Sequence, residues 1–179
     1  TSGAGWTSMI ANGVIYAADR GVRVANISFA NMPTRSSVVS AAQYMKDKGG
    51  LVFVAAGNRG VDEGFTVTTS MIPVSATDSA DARASWSSYG NYVALSAPGV
   101  SVYTTSRGGG YGGASGTSIA SPVAAGVAAL TMAARPDLSA AQIESILFST
   151  AVDLGAAGRD IHFGHGRVDA SGAVAAALQ

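Results

Sequence analysis

The sequence contains no cysteine, which removes disulfides, thiolate zinc sites and a cysteine nucleophile from consideration. Charge is scarce as well. Charged residues make up 12% of the chain, and 11 basic side chains balance 11 acidic ones. That balance gives no electrostatic reason to bind nucleic acid or an anionic membrane. Histidine occurs only at His162 and His165, so imidazole chemistry has few candidates. No apolar run reads as reaching the ~18 residues of a bilayer span. The opening Thr1-Ser2-Gly3-Ala4-Gly5 lacks the basic and apolar regions of a signal peptide and reads as a chain entered midway.

What is present is ordinary globular material. Hydrophobic residues account for 47% of the 179 positions, enough for the core of one domain, 1–179. Ile10, Val14, Ile15 and Ala18 recur at helical spacing, predicting a helix from Gly5 to about Arg20. Val22 to Ser28 alternates and is β-branched, as a strand does. Ser36 to Lys48 returns to helical spacing through Val39, Ala42 and Met45, and stops at Gly49-Gly50. Leu51 to Ala56 is continuously apolar, the pattern of a strand covered on both faces. Met71–Ala76 and Tyr92–Ser96 read as further strands. Thr117 to Ala134 has almost no polar face and predicts a helix inside the domain. Ser139 and Gln142 form a capping-box pattern that opens a helix with Ile143, Ile146 and Leu147 inward. Ala170 to Leu178 reads as a last helix. Alternating helices and buried strands predict an α/β domain on a mainly parallel sheet, with its chemistry at the carboxyl ends of the strands.

Two stretches fall at such places. In Gly116-Thr117-Ser118-Ile119-Ala120-Ser121-Pro122, a serine stands at the mouth of a helix, where unpaired N–H groups favour negative charge. Pro122 has no N–H to return to the carbonyl of Ser118. Ser118 as nucleophile and Ser118 or Thr117 as a plain helix cap are both open on these residues alone. Ala55-Ala56-Gly57-Asn58 ends a buried strand with an amide that can donate to an oxyanion or simply make a turn.

Together the two stretches resemble the subtilase family. Residues 116–122 resemble its active-site serine signature, and 55–58 its oxyanion-asparagine motif. Asn26-Ile27-Ser28-Phe29-Ala30 resembles its substrate-pairing strand. Ala97-Pro98-Gly99-Val100 and Phe163-Gly164-His165-Gly166-Arg167-Val168 stand in the family's order and spacing. The resemblance implies a three-layer subtilisin-like fold whose N-terminal strands are missing from this chain. It implies a serine endopeptidase in which Ser118 is the nucleophile and Asn58, with the Ser118 N–H, binds the oxyanion. Ser28, Phe29 and Ala30 are then one edge against which a peptide or protein substrate lies, and Ala55, Ala56 and Gly57 wall the pocket before the scissile bond.

The family's Asp-Ser/Thr-Gly and His-Gly-Thr-His motifs do not occur in the sequence. The resemblance therefore implies an upstream portion of the same peptidase domain as partner, supplying aspartate and histidine, with this chain inactive alone. A catalytically inactive peptide-binding scaffold is the alternative. His162 and His165 read as loop residues, with no third metal ligand near, and Asp153 and Asp160 as turn and capping residues. No metal site is assigned and no cofactor is required. Structural calcium is possible at the shortened loop 62–69, where Asp62 and Glu63 otherwise read as solvated. Secretion is expected by family habit, without a nucleic-acid or membrane partner.

Overall fold

The computed structural model describes residues 4–179. The opening Thr1 to Gly3 lies outside the described residues. Helix α1 (Ala4–Asp19) leads to strand β1 (Val24–Ile27), helix α2 (Ser36–Asp47) and strand β2 (Leu51–Ala55). Strands β3 (Ile72–Thr77) and β4 (Leu95–Pro98) follow, then a hairpin of β5 (Val102–Ser106) and β6 (Gly110–Ala114). Helices α3 (Thr117–Ala134), α4 (Ala140–Ser149) and α5 (Ala170–Ala177) complete the chain.

The main sheet runs β1-β2-β3-β4, with every pairing parallel. Alternation along β2 divides its side chains between two cores. Leu51 and Phe53 join Ile72, Val74 and Leu95 under α3 and α4. Val52 and Val54 face the other way, onto Val38, Ala42 and Met45 of α2 and Val14 and Ala18 of α1. All five β2 residues are buried, as the unbroken apolar run predicts. The product is a three-layer α/β/α domain with a parallel sheet. The Ser139 hydroxyl accepts from the Gln142 amide, and the Gln142 side chain accepts from the Ser139 amide, closing the predicted capping box.

Several expectations need correction. On α1 the inward stripe is Ala11, Val14 and Ala18, whereas Ile15 is 37% exposed. Ile10 is partly buried against the same cluster, so of the predicted stripe Ile15 alone turns outward. Helix α3 is not wholly buried: Gly126, Ala129 and Ala133 face outward, and Leu130 is 55% exposed. At 18 residues α3 is also long and apolar enough to cross a membrane, contrary to the sequence expectation, but half of it is buried on the sheet, as a core helix is. The strand expected at Tyr92–Ser96 begins at Leu95 instead. Tyr92 turns its ring into a small cluster with Ala56 and Val93 and donates to the Ala56 carbonyl at 2.8 Å.

Candidate active site

Strands β1 and β2 pair as far as Ile27 and Val54. Beyond that point β2 continues against β3 through Ala55 and Val74, while residues 28–30 leave the sheet. Both departing segments meet the first turn of α3. The Gly57 amide donates to the Thr117 hydroxyl at 3.1 Å, and the Ser28 hydroxyl donates to the Ser118 carbonyl at 2.8 Å.

Asn58 is exposed at the end of this strand, and its carboxamide is oriented. Its Oδ1 accepts from the Thr117 amide at 2.9 Å and from the Thr117 hydroxyl at 2.8 Å. With the carbonyl end held, Nδ2 is the free end, and it points over Gly116. A β-carbon built on Gly116 would lie 3.6 Å from Asn58 Nδ2, 3.6 Å from the Ser118 amide nitrogen and 2.8 Å from Ser118 Oγ. Two donors and one hydroxyl oxygen thus surround a single space. It stays open because Gly116 has no side chain, and its φ of +152° is one that glycine accepts readily. Donors preset around a vacant point beside a hydroxyl stabilise an oxyanion formed by attack at that point.

The other predicted residues take these places. Ser28, Phe29 and Ala30 are exposed beyond β1, Phe29 at 51%. Ala55 and Ala56 are 3% and 0% exposed, the Ala56 methyl packed against Tyr92 and Val93. Gly57 is buried at φ +123°, and a β-carbon there would meet Ser88 Oγ at 3.0 Å and Glu63 Oε1 at 3.1 Å.

Arg59 extends into solvent with 72% of its side chain exposed, paired to Glu63. Glu63 is not the solvated acid that the sequence suggests: its side chain is 2% exposed and accepts from the Ser88 hydroxyl at 2.7 Å. The Arg59 guanidinium, helped by Ser88, holds its carboxyl below the usual value despite the opposing effect of burial. Asp62 accepts from the Gly64 amide at 2.9 Å. Among the described residues no three His, Cys, Asp or Glu side chains gather to hold a metal.

The imidazoles are engaged elsewhere. His162 packs on Tyr89 with ring centroids 4.7 Å apart, and His165 stacks on Phe148 at 4.3 Å. Asp160 caps the His162 and Phe163 amides at 2.7 and 2.8 Å, and Asp153 accepts from the Gly158 amide at 2.8 Å, the turn roles their sequence context suggests.

Comparison with known proteins decides the lineage. The model of the subtilase family matches residues 1–166. The chain belongs to the subtilase family. It is 38% identical over 174 residues to alkaline elastase YaB of Bacillus sp. (strain YaB), covering 96% of this chain and 45% of that protein. It is 37% identical over 175 residues to thermitase of Thermoactinomyces vulgaris, covering 97% of this chain and 61% of the relative. A protease structure from Pseudoalteromonas arctica PAMC 21717 superposes with a TM-score of 0.80 at 31% identity, covering 96% of this chain and 59% of that one. The chain thus spans about half to two thirds of the subtilase relatives it matches, and the fold is subtilisin-like.

Three residues quoted within the sequence motifs have roles here that the motifs did not indicate. Thr117 orients Asn58, while Asn26 and Ser121 bond each other at 2.6 Å beneath Ser28. The one available signal was Pro122, whose missing N–H foretold an orphan carbonyl at Ser118 without naming its donor.

Proposed function

We propose that this chain supplies the nucleophile and the oxyanion donors of a serine endopeptidase. The observation that supports it is the convergence of Ser118 Oγ, the Ser118 amide and Asn58 Nδ2 on the space above Gly116. In this reading Ser118 Oγ attacks the scissile carbonyl, and its proton passes to a histidine held by an aspartate, both from an upstream portion of the domain. The carbonyl oxygen becomes negative beside Asn58 and the Ser118 amide. The C–N bond breaks as the histidine returns the proton to the leaving amine, and water then releases the acyl group from Ser118. No cofactor takes part.

The substrate, a peptide or protein, lies along Ser28, Phe29 and Ala30 as an added strand. Ahead of the cleaved bond the small residues 55–57 suit a large apolar or aromatic side chain. Arg59, already paired with Glu63, adds no net charge there. The upstream portion docks on the outer edge of β1, where a cavity of about 280 Å³ is lined by Ile10, Val14, Ala25, Ile27 and Phe29. Helix α1 beside it leaves Trp6 63% and Met9 72% exposed. We place the enzyme outside the cell, as subtilases commonly are, and expect no activity from this chain without its upstream partner.

A second reading, an inactive peptide-binding scaffold, is favoured by one observation. Both histidines of the chain pack on Tyr89 and Phe148 rather than on the first turn of α3. A serine-directed fluorophosphonate separates the two. Covalent label mapped to Ser118 in the full-length protein is the expected result. A refractory Ser118 with the upstream portion bound establishes the scaffold.

A further inference from the structure

The first turn of α3 is held from outside the helix. Pro122 stands four residues after Ser118 and has no N–H, so the Ser118 carbonyl lacks the amide partner it would otherwise have one turn on. The partner is the Ser28 hydroxyl, donating at 2.8 Å from 90 residues earlier in the chain. A hydroxyl has one proton, and Ser28 spends it on this bond. Its lone pairs are therefore the only means of fixing its own direction. Asn26 Nδ2 supplies that second contact, donating to Ser28 Oγ at 2.9 Å. The other end of the same carboxamide, Asn26 Oδ1, accepts from the Ser121 hydroxyl at 2.6 Å. Ser121 is fully buried on α3, one turn beyond Ser118.

These links form a ring that leaves α3 at Ser118, passes through Ser28 and Asn26, and returns to α3 at Ser121. Each donor has one acceptor, and the order of the protons is fixed by chemistry. The amide at position 26 serves both neighbours, since one end donates to Ser28 and the other accepts from Ser121, which a carboxylate or an alkyl side chain cannot do. We infer that Asn26 is a positioning residue for Ser118, locking the nucleophile's turn to the strand end on which substrate lies. The inference rests on the peptidase reading and deepens it. Residues 28–30 set where the substrate backbone sits, and the ring sets where Ser118 sits relative to them. The carbonyl under attack and the attacking oxygen are then referred to one rigid frame, which is how proximity becomes rate.

The consequence is a loss in the chemical step rather than in binding. In the full-length protein, Asn26→Leu is expected to slow both kcat and fluorophosphonate labelling of Ser118 by roughly tenfold or more. KM should change by less than about twofold, because residues 28–30 keep their backbone. Asn26→Asp is nearly isosteric and keeps the bond from Ser121, but an ionised carboxylate cannot donate to Ser28. It is expected to be slowed like the leucine variant while melting near the parent temperature. Ser28→Ala should match them, and Ser28→Thr, which restores a hydroxyl, should recover most of the rate. Parent protein labelled at Ser118 with all of these variants labelled equally fast would overturn the inference alone. Variants that lose affinity in KM and keep kcat overturn it too. A parent that never labels at Ser118 overturns the peptidase reading, and this inference with it.

Discussion

Thr117 grips the carbonyl end of the Asn58 carboxamide with two donors, its amide and its hydroxyl, and the Gly57 amide in turn fixes that hydroxyl. The residue before Ser118 thus governs a side chain 59 residues away. Replacing Asn58 with Leu removes the donor outright. Turnover is expected to fall on the order of 10²–10³-fold, a magnitude taken from the equivalent donor of subtilisin, a member of this same family. Thr117→Val leaves the amide but removes the hydroxyl, so Nδ2 is aimed by one bond instead of two. A smaller loss, roughly tenfold in kcat with little change in KM, is expected from steady-state kinetics on a peptide substrate. Unchanged kcat in Thr117→Val would show that the second bond is idle.

Gly116 is the floor of the same space. A β-carbon there would come within 2.8 Å of Ser118 Oγ, on a backbone at φ +152°. Gly116→Ala is therefore expected to displace the serine or fill the oxyanion position, with loss of nearly all turnover. Helix α3 begins one residue later and its contacts with the sheet are unaffected, so the circular dichroism spectrum should match the parent's. An active alanine variant would mean that the oxyanion forms elsewhere.

Glu63 makes stability depend on pH in a definite direction. Its carboxyl titrates below the ordinary 4.5, first because Arg59 bonds to it and then through Ser88. A depressed native value means that the unfolded chain binds more protons in this window, so stability rises with pH through it. The contribution is complete above about pH 4.5 and is lost as pH falls towards the native value. Glu63→Gln cannot ionise and loses the pair with Arg59. Melting curves of the two proteins should be separated at neutral pH, the parent higher, and should approach each other in acid. A gap that stays constant to pH 3 would assign the difference to packing. Because Arg59 is largely exposed, the gap should also shrink in salt.

Much of this architecture was legible because it rests on local patterns. The bounds read for α3, Thr117 to Ala134, coincide with the helix found, since glycine before it and Arg135-Pro136 after it punctuate the chain. The short apolar run of β2 has the pattern of a covered strand and is one. The β5–β6 hairpin was not legible: β6 is Gly110-Tyr111-Gly112-Gly113-Ala114, and glycine is poor strand material. Its pairing with β5 is a tertiary fact, accompanied by Tyr103 stacked on Tyr111 at 6.0 Å. The site divides in the same way. Ser118 and Asn58 stand out as candidates by their places at a helix mouth and a strand end, and the family resemblance is what suggests their roles. Asn26, Thr117 and Ser121 are ordinary polar residues whose meaning lies in partners 59 to 95 positions away. No window along the sequence is wide enough to hold both ends of such a bond.

Pro122 has one more effect, on timing. By denying the Ser118 carbonyl the usual amide one turn on, it leaves that bond to Ser28, just past β1 and 90 residues earlier in the chain. A helix that formed alone, during synthesis or after partial unfolding, would lack that bond. The turn that carries Ser118 therefore takes its final shape only when sheet and helix have closed on each other.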